Sequence, residues 1–269
     1  MFAAISRMAR SAALAVPLSF AACAGHTSAL NVPAPGKEVS AKTVLLETGA
    51  MLLQNKPPID ALTMYLDGFH FYNGRIQGQV EAHHFCSVDN EEVTQCVIYD
   101  GNTGDAKLMG VEYIISKPLF EALPPEEKSL WHSHVHEVKS GQLIAPGIPS
   151  RAEHELMEKI VGTYGKTWHI WHTDQHLALP VGHPLLMMGF TADGQANAGM
   201  VDRRDRRFQI ESRDKRKERE NIAAPPISPG ADAWQQGDIR QLSLQFLHPG
   251  SVVAPPNEPA TPLSPHRAP

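Results

Sequence analysis

From residue 79 the chain reads with a period of two. Val80, Ala82, His84, Cys86 and Val88 alternate with Gln79, Glu81, His83, Phe85 and Ser87. Successive side chains of a strand point to opposite faces, so this spacing commits the segment to β structure and turns His84 and Cys86 inward with the small and apolar residues. A second β-rich run at residues 93–99 follows the polar Asp89-Asn90-Glu91-Glu92, and the two runs form a hairpin. Residues 110–115, 168–173 and 185–190 supply further strands, and residues 137–144 read as extended. Helices are expected from residue 41 to the Pro57-Pro58 pair, from Pro58 through Leu66, at 117–123, at 125–131 behind a Pro-Glu-Glu start, and at 151–164 before Gly165. Hairpins and helices mix without a regular βαβ alternation or a glycine-rich phosphate loop. The expected class is therefore α+β, a single domain with a mostly antiparallel sheet, flanking helices and disordered termini.

The first 22 residues place Arg7 and Arg10 ahead of a short apolar run interrupted by Pro17, the pattern of an export signal rather than a spanning helix. Phe20-Ala21-Ala22-Cys23 resembles a bacterial lipobox, in which Cys23 is acylated and becomes the first residue; cleavage after Ala24 or Ala29 is the alternative and gives a soluble secreted chain. Residues 23–40 are small, polar and Pro/Gly-punctuated, as a tether would be. The folded domain is expected over 41–222. Beyond it, residues 223–269 hold ten of the 22 prolines and read as a largely disordered tail. Between domain and tail, residues 202–220 carry nine basic and six acidic side chains at a spacing that suits a solvated helix. The whole chain has 24 Lys+Arg against 29 Asp+Glu, a net charge of −5, which excludes a nucleic-acid partner bound by phosphate neutralisation.

The densest chemistry lies in Trp131-His-Ser-His-Val-His-Glu137, within a chain of 14 histidines. His132, His134 and His136 share a face if the segment is extended, and His132 and His136 share one if it is helical. A His-x-His pair presents two imidazoles to Zn, Cu, Fe or Ni, with the remaining ligands drawn from His83 or His84, Glu112, and His169 or His172. The spacing to Glu137 and Gly147 does not fit the His-x-His motif of cupins. No Gly-x-Ser-x-Gly elbow occurs, so hydrolase chemistry through a serine triad is disfavoured. Cys86 and Cys96 are a candidate disulfide, although a symmetric four-residue hairpin loop would put them on opposite faces and a bulge or shifted register is needed.

These strings, taken together, resemble a known family. Glu81-Ala-His-His-Phe-Cys86, Gln95-Cys-Val-Ile-Tyr-Asp100, Gly110-Val-Glu-Tyr-Ile-Ile-Ser116, Leu130-Trp-His-Ser-His134, Glu137-Val-Lys-Ser-Gly141, Thr163-Tyr-Gly-Lys166 and Leu186-Met-Met188 are similar to the oil-body-associated, or DUF1264, proteins over about residues 70–193. The resemblance implies that family's domain fold and an affinity for lipid surfaces, since its plant members associate with seed oil bodies. It supplies no reaction. Two expectations compete: an exported envelope protein held to membrane lipid by an acyl anchor at Cys23, binding lipid, a small ligand or an envelope partner; and a His-rich metalloprotein with a divalent ion such as Zn held among His132, His134, His136, His84, Glu112 and His172.

Overall fold

The computed structural model describes residues 33–244. The segment expected to be an export signal, Cys23 and most of the expected tether lie outside them. The sheet has seven strands: β1 (Met64–Tyr72), β2 (Arg75–Asn90), β3 (Val93–Tyr99), β4 (Leu108–Ile115), β5 (His132–Ser133), β6 (Tyr164–His169) and β7 (Leu185–Met188). Every pairing is antiparallel. β1 pairs with both β2 and β7, and β4 pairs with β6, so β1-β2-β3-β4-β6-β7 close into a six-stranded barrel, with the short β5 lying beside β6. A barrel this small is filled by its own side chains.

Around it run α1 (Ala41–Leu53), α2 (Pro57–Asp60), α3 (Lys117–Glu121), α4 (Pro125–Lys128), α5 (Val135–Ser140), α6 (Ser150–Ile160), α7 (Ala198–Phe208) and α8 (Ser212–Glu218). The fold is α+β, as its mixed pattern implies. Several elements nevertheless shift. The helix expected to reach Leu66 ends at Asp60, and β1 begins at Met64. The segment expected to be extended at 137–144 starts as α5, because Gly141, at φ 79°, closes a helical turn there. The strand expected at 168–173 runs earlier, as β6, after α6 stops at Ile160.

The charged stretch at 202–220 is two helices broken at Gln209, whose φ is 53°, rather than one solvated rod. Two of its arginines are core residues: Arg204 is 0% and Arg219 is 1% exposed. Arg204 pairs with Asp67 and Asp205 at 2.9 Å each and donates to the Gln142 carbonyl at 2.8 Å. Arg219 donates to the carbonyls of Val138 and Leu143 and pairs with Glu153 at 3.1 Å. Packing also continues past residue 222. Ser228, Ala231, Asp232 and Ala233 are buried, and the backbone N–H of Asp232 donates to the Trp131 carbonyl, so the Pro-rich segment closes over the barrel before the described residues end.

The hairpin register is Cys86 opposite Cys96, and the two are joined in a disulfide. The turn is two residues, Glu91-Glu92, with Asn90 opposite Val93, and an irregularity between Val88 and Asn90 adds the one-residue offset that the pairing needs. Inside the barrel an apolar layer at one end includes Leu66, Cys86, Cys96 and Ile114, covered by Val138, Leu143 and Ile160. Tyr72, Val80, Ala82, Ile98, Met109 and Met187 fill the other end. His70 lies between Leu66 and Tyr72 on β1, His84 between Ala82 and Cys86 on β2, and Glu112 between Met109 and Ile114 on β4. The barrel thus carries a polar layer between two hydrocarbon ones.

Candidate metal centre

Glu112 projects from β4 into that layer and is 2% exposed. Four imidazoles surround its carboxylate. His84 Nε2 lies 2.9 Å and His70 Nε2 3.6 Å from Oε2, while His134 Nε2 lies 3.2 Å and His132 Nε2 3.7 Å from Oε1. Glu137, in the first turn of α5, brings Oε2 to 3.9 Å from His134 Nε2. His169 Nε2 is 3.4 Å from His70 Nδ1. All of these side chains are buried.

Four of the six ligands expected from sequence, His132, His134, His84 and Glu112, converge. His136 does not: the chain passes from β5 to α5 at His134, which swings His136 to the outside, 4.0 Å from Asp193. Nor does His172, which contacts the Tyr72 hydroxyl at 3.2 Å, a hydroxyl that donates to Asp174. His70 and Glu137 were not among those expected; His169, the alternative to His172, reaches the layer beside His70. Glu137 carried a readable signal, three residues after His134 in a segment that becomes helical. His70 carried little, because β1 is buried on both faces and shows no alternation.

Burial holds His132 down to about 3 and His70 well below the ordinary imidazole value, so both are neutral, the form that binds metals. Burial would by itself raise Glu112, but the imidazoles of His134 and His84 outweigh it and hold the group well below the usual carboxylate range. Burial, with the neighbouring Glu112 and Asp232, raises Glu137 well above that range.

Thr163 fixes the orientation of the His134 ring. The Thr163 hydroxyl donates its proton to the Ile160 carbonyl at 2.7 Å, so at 2.8 Å from His134 Nδ1 it must accept. Nε2 of His134 then faces a carboxylate oxygen 3.2 Å away, a contact that either a proton on Nε2 or a metal ion beside the pair satisfies. Two ligands of one ion at about 2.0–2.1 Å lie about 2.8–3.4 Å apart in octahedral or tetrahedral geometry. The distances around Glu112, 2.9–3.7 Å, overlap that spacing. Both ring nitrogens of His132 and Oε2 of Glu137 are buried with no hydrogen-bond partner among the described residues, each at a cost of about 1–3 kcal/mol.

Two triples have their donor atoms within 4.8 Å of one another, His70–Glu112–His132 and His132–His134–Glu137. Each is two histidines and one carboxylate. Glycine makes the room: a Cβ on Gly165 would stand 2.2 Å from Glu112 Oε1 and 2.8 Å from the His132 ring, and one on Gly189 would stand 2.9 Å from both His132 and Glu137. A third triple, Asp67–Glu81–His83, lies on the outer face of the same strands. Its acids are already paired, Asp67 with Arg204 and Glu81 with Arg207, so its charge is compensated without an ion.

Residues 56–223 match the family described as Protein of unknown function (DUF1264). The chain belongs to the DUF1264 family. Among its relatives, Oil body-associated protein 1A of Zea mays is 42% identical over 233 residues, covering 85% of this chain and 96% of that protein. Oil body-associated protein 1B of Arabidopsis thaliana is 39% identical over 226 residues, covering 82% and 94%. No solved structure matches. The family assignment reaches all six barrel strands and every donor of the polar layer. The amino-terminal segment precedes the family match, which gives an envelope lipoprotein no support. Among the described residues no helix is long and apolar enough to cross a membrane.

Proposed function

We propose that this DUF1264 protein holds a divalent first-row metal ion inside its barrel. The observation that carries the reading is the convergence of four Nε2 atoms on the Glu112 carboxylate at ligand-to-ligand spacing, with the His134 ring oriented by Thr163 so that its Nε2 faces a carboxylate oxygen. Imidazole and carboxylate donors without thiolate suit Zn, Fe, Mn or Ni, and two histidines with one carboxylate are the set used for non-haem Fe(II) with open positions. The test is elemental analysis by mass spectrometry of the full chain purified without a histidine tag, beside His132→Ala/His134→Ala. About one metal per chain in the parent and none in the folded variant is the expected result. A folded, metal-free parent that stays so after dialysis against Zn(II), Fe(II) or Mn(II) overturns it.

A second reading rests on α1 and on the relatives' names. Leu45, Leu52 and Leu53 are 72%, 75% and 85% exposed, and no residue of α1 is buried, so this helix presents hydrocarbon to its surroundings. The relatives are oil body-associated, which supports a lipid surface as its counterpart here. In this reading, acylation of Cys23 would hold an exported form on an envelope membrane, and the mass of the mature amino terminus reads that directly. The full chain should co-float with phospholipid-coated triacylglycerol droplets and Leu45→Ser/Leu52→Ser should not; a parent chain that stays in the aqueous layer refutes it.

A further inference from the structure

Beside the polar layer is a cavity of about 10 Å³. That is room for one water-sized body. Part of its wall is donors, among them His84, Glu112, His134 and Glu137. The rest is hydrocarbon from Leu66, Ile114, Leu143 and Ile160. A metal held by either two-histidine, one-carboxylate triple takes three positions from protein, and on the side of the hydrocarbon wall it meets no donor.

We infer that the metal keeps a position open to this cavity for an exogenous ligand of one or two heavy atoms, and that Leu143 sets the size limit. The inference rests on the metal reading above. What makes the limit firm is the mounting of Leu143. Its strap is tied at both ends of the residue, the N–H donating to the Glu137 carbonyl at 3.0 Å and the carbonyl accepting from buried Arg219 at 2.8 Å. The neighbouring Gln142 carbonyl accepts from buried Arg204, and Ile144 bridges Asp67 on β1 through N–H···O bonds of 2.9 Å in both directions. The two arginines of the charged helices therefore fix the wall of the cavity. A wall held by buried charge-assisted hydrogen bonds does not swing aside for a larger molecule.

The experiment loads the full chain with Fe(II) without oxygen, confirms one iron per chain, and adds nitric oxide, a two-atom probe, followed by imidazole, a five-atom one. The bound iron should give an iron–nitrosyl electron paramagnetic resonance signal at about one spin per iron. Imidazole at 100-fold excess should leave that signal unchanged in the parent and suppress it at least tenfold in Leu143→Ala, or in Ile160→Ala if the first variant does not fold. Stoichiometric iron with no nitrosyl signal means a closed coordination sphere and overturns the inference while leaving the metal reading intact. Imidazole suppression in the parent overturns the size limit. Failure to retain iron at all strikes the two-histidine, one-carboxylate reading itself.

Discussion

Thr163 is the most informative single side chain to change, because it touches the centre only through His134. Thr163→Val keeps the shape and removes the hydroxyl that accepts from His134 Nδ1 at 2.8 Å and donates to the Ile160 carbonyl at 2.7 Å. Without it nothing holds the proton on Nδ1, and His134 loses its preference for the tautomer whose Nε2 can bind a metal. Loss of such an outer partner weakens metal binding about 10–100-fold, or about 1.4–2.8 kcal/mol. At a metal concentration 100 times the parent's Kd, binding stabilises the parent by about 2.7 kcal/mol and the variant by only about 0.4–1.4 kcal/mol. A domain of this size shifts by about 2–4 °C per kcal/mol, so the metal-induced rise in Tm should be about 5–11 °C in the parent and about 1–6 °C in the variant. Differential scanning calorimetry with and without metal reads this. The metal-free variant should also lose about 1–2 kcal/mol for the orphaned carbonyl and ring N–H, and that loss alone says nothing about the centre. Thr163→Ser should restore the metal-dependent rise. An equal rise in parent and Thr163→Val would refute the tautomer argument.

Three further outcomes follow from the same geometry. Gly165→Ala, whose Cβ would sit 2.2 Å from Glu112 Oε1, should leave a folded chain with bound metal below a tenth of the parent's, measured by elemental analysis; full occupancy would mean that β6 does not form the floor of the centre. Cys86→Ala/Cys96→Ala opens a link with a sequence separation of 10, and chain-entropy arguments put the loss at about 2.5–3 kcal/mol in urea unfolding, with metal stoichiometry retained. Asp232, which burial raises to about 7, accepts from the Ser133 N–H. The folded chain keeps a proton there that the unfolded chain releases near pH 4, so its stabilising contribution is complete below about 4 and is lost as the pH rises through 7. Asp232→Asn should therefore gain stability relative to the parent between pH 5 and pH 8, and parallel urea midpoints across that range would contradict it.

Legibility along the chain followed burial. The β2–β3 hairpin was readable because β2 turns one face to the barrel interior and the other largely outward, and that asymmetry writes a period of two. β1 was not, because α7 covers its outer face and Asp67, Phe69 and Phe71 are as buried as Leu66 and His70. The charged run at 202–220 gave two helices their composition but hid their role. Arg204 and Arg219 look like any surface arginine until Asp67 and Glu153 arrive from 137 and 66 residues away. His136 lies apart from the cluster for the opposite reason: its local spacing was right for a strand or for a helix, and the chain changes from one to the other at His134.

What the sequence determined by itself is the class of fold, the family, the hairpin, and the kind of chemistry available, a concentration of imidazole around one His-x-His pair with Glu112 and His84 within its candidates. These are properties of residue type and short-range spacing, and neighbouring residues carry them. What only the tertiary structure decided is which donors meet. Closing β1 onto β7 and β4 onto β6 brings His70, His84, Glu112, His132 and His134 into one layer from four separate stretches of chain. The pairing of distant strands is set by which faces can be buried together, and no local period records it.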